Sequence, residues 1–216
     1  MNNLPDPFFL IIALSGMALV PFLAVMTTSF VKLAIVFGLL RNALGIQQIP
    51  PNMAIYGLAI ILSIYIMAPV GYAIHDSLAD KQFAWEDSDQ FVASIEEGSI
   101  PFKAFLKKHT SQREIDFFLK NAAALWPAEY AAKLTDDSFM VLIPAFTVSE
   151  LTSAFEIGFL LYLPFIVIDL IISNILLALG MMMVSPMTIS LPFKLLLFVL
   201  LDGWARLIHG LVLTYQ

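Results

Sequence analysis

The sequence predicts an all-α membrane protein: two broken, kinked hydrophobic helical hairpins, nominally four transmembrane helices, flanking a small polar helical insert. Three observations carry that prediction. Of 216 residues, 60% are hydrophobic and 13% charged, against about 45–50% and about 25% in ordinary soluble domains. The charges are concentrated in one stretch, because residues 75–138 hold twelve of the seventeen acids and seven of the eleven bases, a local net charge of −5. The flanks contain uncharged runs long enough to cross a bilayer. Composition also excludes classes of function. A net charge of −6 without clustered Lys and Arg argues against a nucleic-acid partner. The absence of cysteine rules out disulfide staples, thiolate metal sites and Cys nucleophiles.

Phe8 to Val31 is uncharged and the apolar run continues past Lys32 to Leu40; Met53 to Ile74 is uncharged as well. At 1.5 Å per helical residue each run reaches roughly 30 Å or more. Together they predict a hairpin, whose connection Arg41 to Asn52 contains Gly45 and the Pro50–Pro51 pair as helix stops. In the insert, Asp89 to Glu97 reads as a helix closed by Gly98. Pro101 fits the first turn of a helix to about Lys108, and Ser111 with Glu114 reads as a capping box that opens a helix with Ile115, Phe118 and Leu119 on one face. Phe91, Phe102, Phe105, Phe117 and Phe118 at helical spacings predict a small helical domain outside the membrane, either a cap with no assembly role or a domain packed beside its copies. Ala145 to Glu156 is amphipathic and leads into Ile157–Val184, a third span interrupted by Asp169. The run Leu191–Leu213, which carries Lys194, Asp202, Arg206 and His209, is a marginal fourth span. The chain thus divides into 1–74, 75–143 and 144–216.

The leader Met1 to Pro7 has no Lys or Arg, whereas the two short loops carry Arg41 and Lys194. The positive-inside bias therefore places both loops in the cytoplasm, with the insert and both termini outside. The leader also lacks the basic region of a cleavable signal peptide, so the first helix is expected to remain in the mature protein.

Pro21, Pro69, Pro164, Pro186 and Pro192 recur inside the apolar runs and predict bent, mutually packed helices. Asp169 is the most deeply apolar charge. Insertion scales place the cost of such an acid at roughly 2.5–3.5 kcal/mol, so it requires a protein or water partner. It reads either as a coupling site of a proton- or ion-driven transporter or as a structural contact. Lys32 reads either as a buried contact or as a lysine snorkelling to the cytoplasmic end of its helix. Asp202 and Arg206, four residues apart, are expected to pair on one helix face, and with Lys32 and Asp169 they are the candidate buried charges or subunit contacts. His75, His109 and His209 are too scattered for a ligand motif, and no catalytic constellation is present. Three consecutive methionines, Met181 to Met183, cannot all face one way on a helix. They suit either a helix-end turn that presents flexible thioethers to one space or an adaptable core filler.

The stretch Pro144-Ala-Phe-Thr-Val-Ser-Glu-Leu-Thr-Ser-Ala-Phe-Glu-Ile-Gly158 is followed by Leu163-Pro-Phe-Ile-Val-Ile-Asp169 and Leu179-Gly-Met-Met-Met-Val-Ser-Pro-Met187. These strings closely resemble the SctR/FliP family of type III secretion export-gate proteins. Thr28 to Phe37, Arg41 to Gly45 and Leu201 to Trp204 agree, and the likeness is weakest through the insert. The resemblance implies a non-enzymatic inner-membrane subunit, without cofactors, that assembles as a pentamer with SctS and SctT type subunits, then the SctU type switch protein, to conduct unfolded secreted proteins. It implies that the family's methionine gasket falls on Met181, Met182 and Met183. The matching motif positions are Pro144, Glu150, Phe155, Gly158, Pro164, Gly180 and Pro186. The short leader resembles the injectisome rather than the flagellar branch. The competing class is a small transporter or channel using Asp169, against which stand the missing second acid, the absence of an inverted repeat and the large insert.

Overall fold

The computed structural model describes residues 7–46, 49–79 and 94–216, and all the regular structure among them is helical. The helices are α1 (Pro7–Met26), α2 (Phe30–Leu44), α3 (Asn52–Ala79), α4 (Ile100–Lys108), α5 (Gln112–Leu125), α6 (Ala128–Ala131), α7 (Phe139–Ala178), α8 (Pro186–Leu200) and α9 (Gly203–Leu213). The start of the Asp89–Glu97 helix, Phe91 and the leader up to Asp6 lie outside the described residues; the chain is helical from 94 to 98.

The shortest apolar helix of the first half is the most central one. Leu33, Val36, Phe37, Leu40, Ala43 and Leu44 of α2 are buried among Ile55 and Ala59 of α3, Ala154 and Phe165 of α7, Phe198 of α8, and Leu207 and Leu211 of α9. The first predicted span is not a single rod. It bends by 54° between α1 and α2, where three consecutive hydroxyls replace apolar residues. Thr27 and Thr28 donate back to the carbonyls of Leu23 and Ala24, the local bonding that bends helices. Ser29 donates to Ser63 of α3 at 3.1 Å, and Thr147 of α7 donates to the Met26 carbonyl at 3.3 Å. The connection after α2 forms as its residues predict. Gly45 adopts φ +74° as a left-handed helix stop, and the Arg41 guanidinium donates to Pro50 O and Asn52 Oδ1.

Two helices, α3 and α7, are each long and apolar enough to cross a membrane, and the bent pairs α1–α2 and α8–α9 raise the number to four if each pair is one span. Only 17% and 11% of the most apolar stretches of α3 and α7 are buried within the chain, so one copy leaves most of those two stretches uncovered.

A second core joins the insert to α7. Phe105 and Leu106 of α4 and Ile115 of α5 bury against Val141, Leu142, Ala145 and Phe146 of α7, with Phe118 and Leu119 packed beside them, the face predicted for α5. The divisions expected at 74/75 and 143/144 fall inside α3 and α7, which run unbroken through both cores.

Two local expectations change. Ser111 does precede α5, but its side chain makes no cap bond. Its own N–H, the group a capping-box glutamate would accept, donates instead to Ser149 Oγ of α7 at 3.0 Å, while Glu114 pairs with Arg113. Pro186 does not kink a helix; it occupies the first turn of α8, where no backbone donor is needed. Pro21, Pro69, Pro144, Pro164 and Pro192 do lie inside helices.

Candidate functional site: two buried charge centres and a methionine turn

Each end of α2 meets a buried charge centre. At its first turn Lys32, 4% exposed, faces Glu150, 2% exposed, with Nζ 2.7 Å from Oε1. The other oxygen, Oε2, accepts the hydroxyl of Tyr215, just past α9, and the Lys32 ammonium lies 4.3 Å from the Tyr215 ring centroid. The insert closes over this group. The Phe105 ring stacks on Tyr215 at 6.3 Å and His109 lies 5.0 Å from it. Burial, then the cations Lys108 and Lys32, push the His109 imidazole down to about 4, so it is neutral at pH 7. Lys32 is therefore not a snorkelling lysine: four segments converge on it, and α2, α7, α4 and the segment after α9 are held at one point.

At the last turn of α2 the arrangement is reversed in sign. Lys194 of α8 donates to Asp169 Oδ2 of α7 at 2.6 Å and to the Ala43 carbonyl at 3.1 Å. A C-terminal helix carbonyl has no intrahelical partner and carries partial negative charge, which suits an ammonium. Ser190 Oγ donates to Asp169 Oδ1 at 2.6 Å. The Lys194 side chain is 3% exposed and that of Asp169 35%, so the acid predicted to be deepest is partly open and its lysine is the buried partner.

Asp169–Lys194 clamps α7 to α8, and the methionines occupy the turn between them. The turn starts on Gly180, at φ +72°. Gly180 N–H donates to Leu177 O at 3.0 Å and Met181 N–H to Leu176 O at 2.9 Å, the paired bonds of a Schellman stop. Ser185 and Pro186 then begin α8. Of the two readings left open by the sequence, the helix-end turn is the one formed. Met181 is partly exposed and Met182 and Met183 are fully presented to the outside.

Asp202 and Arg206 do not form the expected ion pair. Asp202 is itself the corner: at φ +50° it is the N-cap of α9 beside the 61° bend, and its main-chain carbonyl, not its carboxylate, meets Arg206, accepting the Arg206 N–H at 3.0 Å. Both side chains are exposed. Among the family-motif positions, Glu150 and Gly158 are buried in the α2–α7 contact, Pro144 and Pro164 lie within α7, and Phe155 points outward. A Cβ on Gly158 would lie 2.2 Å from Leu39 Cδ1. Sequence reasoning missed the pairings themselves, Glu150 and Tyr215 for Lys32 and Lys194 for Asp169. The usable signal was that the apolar helices carry two lysines, Lys32 and Lys194, which need counter-charges among the three acids of α7.

Residues 13–211 match the FliP family. The chain is 63% identical over 215 residues to Yop proteins translocation protein R of Yersinia pestis, covering all of this chain and 99% of that relative. It is 52% identical over 209 residues to hypersensitivity response secretion protein HrcR of Ralstonia nicotianae, with 96% of each chain covered. It is also 49% identical over 219 residues to virulence protein YscR of Salmonella typhimurium, covering 99% of this chain and all of that relative. With the family match extending over Lys32, Glu150, Asp169, Lys194 and the methionine turn, the chain belongs to the FliP family.

Proposed function

We propose that this chain is the pore-forming SctR-type subunit of a type III protein-export gate, a non-enzymatic, multi-pass component of the bacterial inner membrane. Five copies form its ring, SctS and SctT type subunits extend it, the SctU type switch protein follows, and unfolded secreted proteins pass through. The three-part division survives here as a division of exposure: 75–143 and the termini face the periplasm, and the flanking helices lie in the membrane or against neighbouring subunits. The relatives named for translocation and secretion support this reading. The observation that carries it is the methionine turn, three thioethers held outside the chain's own core between two helices clamped by Asp169 and Lys194.

In a ring, Met181, Met182 and Met183 from several copies meet on the axis. Apolar constrictions close to water and ions by dewetting, and unbranched thioethers repack around different shapes. The seal thus yields to a passing polypeptide without reading its sequence. Replacing all three by glycine should raise the ion conductance of the resting complex in planar bilayers several-fold while the complex still assembles. Unchanged conductance would overturn the seal. Asp169 and Lys32 serve in this reading as structural contacts, which is supported by their partners within the chain.

A further inference from the structure

Most charges in the apolar helices are satisfied within the chain: Lys32 with Glu150, Asp169 with Lys194, and Arg41 on Pro50 and Asn52. Among the described residues, three have no side-chain partner: Glu156 of α7, Arg206 of α9, and Asp202 at the bend. Asp202 opens into a cavity of about 440 Å³ that it shares with Arg41, so a cation already faces it. Glu156 and Arg206 have no opposite charge lining the space they face. Arg206 is the one charged residue on an apolar groove of about 440 Å³ between α7, α8 and α9, lined by Ile157, Leu161, Phe198, Leu207 and Leu211. Glu156 belongs to a different surface of α7, an outward apolar face with Val148, Leu151, Phe155 and Phe159.

The two surfaces point away from each other. At 100° per residue the groove-facing residues of α7 and the residues around Phe155 and Phe159 fall on roughly opposite sides of the helix. One copy therefore cannot satisfy its own pair. The heights match, however. From the level of the Glu150–Tyr215 contact, Glu156 is six residues along α7 and Arg206 nine residues back along α9, about 9 Å and about 13 Å in the same direction. An arginine side chain spans the difference. An ionised residue in an apolar helix needs a counter-charge, and a face that fits a different face of its own twin generates a head-to-tail ring when the rotation closes.

We infer that the α7 face bearing Glu156 docks into the α7–α8–α9 groove of a second copy of this chain, where Glu156 forms an ion pair with the neighbour's Arg206. This interface rests on the ring proposed above and names the charge pair that sets its register. It makes each copy both donor and acceptor, so the contact repeats around the ring.

The absence of cysteine gives a clean background for the test in membranes of cells carrying the complete secretion system. Chains with Glu156→Cys and chains with Arg206→Cys are co-expressed and treated with a bis-maleimide long enough to span a glutamate–arginine pair, which a direct disulfide cannot do. A cross-linked dimer containing one of each chain is expected, and neither variant alone should give it. In parallel, Arg206→Glu should lower the recovered oligomer about tenfold, and the double reversal Glu156→Arg with Arg206→Glu should restore it to within about twofold. The inference is overturned if the oligomer forms but the mixed cross-link is absent and the double reversal recovers no more than the single one. It is equally overturned if position 206 cross-links only to another protein, or if Arg206→Glu is corrected by changing the anionic-lipid content while Glu156→Arg has no effect, which would assign the groove to a lipid phosphate. A wild-type chain recovered from the same membranes as single copies would remove the ring itself, a result distinguishable from loss of this one interface.

Discussion

Lys32 and Glu150 are the most consequential residues for stability, because each is almost wholly withdrawn from solvent and neither has an alternative counter-charge. Removing one member of such a pair leaves a buried charge and typically costs about 3–5 kcal/mol, whereas removing both is far less damaging. Glu150→Gln and Lys32→Met should each sharply lower the thermal stability of the detergent-extracted protein, and the double variant should be less damaged than the sum of the two. His109 sets a pH dependence at the same junction. Its folded value near 4 lies below the ordinary 6.5, so the unfolded chain binds the proton more readily. The contribution of this site to stability is whole above about pH 6.5 and is lost as pH falls toward 4. The protection factors of α4 amides, with exchange rates referred to the unfolded chain at each pH, should fall over that interval, and His109→Phe, which keeps the ring against Phe105 and Tyr215, should flatten the response.

At the scale of elements, the α2–α7 crossing depends on Gly158, whose missing Cβ admits Leu39. Gly158→Leu should open the crossing and destabilise the protein by about 1–3 kcal/mol or more, as overpacked cores do. Adding Leu39→Ala should recover part of the loss, read as thermal stability of the two variants side by side. The elements themselves were largely legible in the sequence. Apolar runs located α3 and the second half of α7, Pro101 and Ser111 located α4 and α5, and Gly45 located the stop after α2. What stayed hidden was set by partners distant in sequence. The Ser111 amide was claimed by Ser149 rather than by Glu114, and the left-handed backbone of Asp202 at the corner before α9 removed its side chain from a pair that sequence spacing alone would form. The hydroxyl triplet Thr27 to Ser29 was visible, but an apolar tally counts it as three tolerated polar residues instead of a joint. The same limit hid the charge centres, since nothing local ties Lys32 to Glu150.

For the whole molecule, hydrophobic composition correctly excluded a soluble protein, yet the spans are unequal. α2 is nearly enclosed by its own chain, while α3 and α7 remain mostly uncovered. Apolar surface of that extent calls for neighbours or lipid. Extraction in mild detergent should therefore yield a particle of several 24.0 kDa chains by native mass measurement, and harsher detergent should release single copies with α2 still protected from hydrogen exchange. The Lys194 contact with the Ala43 carbonyl has a consequence for how the protein is mapped. That acceptor belongs to the main chain, so alanine-scanning mutagenesis has nothing to remove at position 43 and passes over it in silence. Larger side chains there would fail by crowding, since Ala43 is fully enclosed, and would be read as packing defects. Only an amide-to-ester replacement at Leu44, which weakens the preceding carbonyl as an acceptor, would expose the backbone as a member of the charge centre.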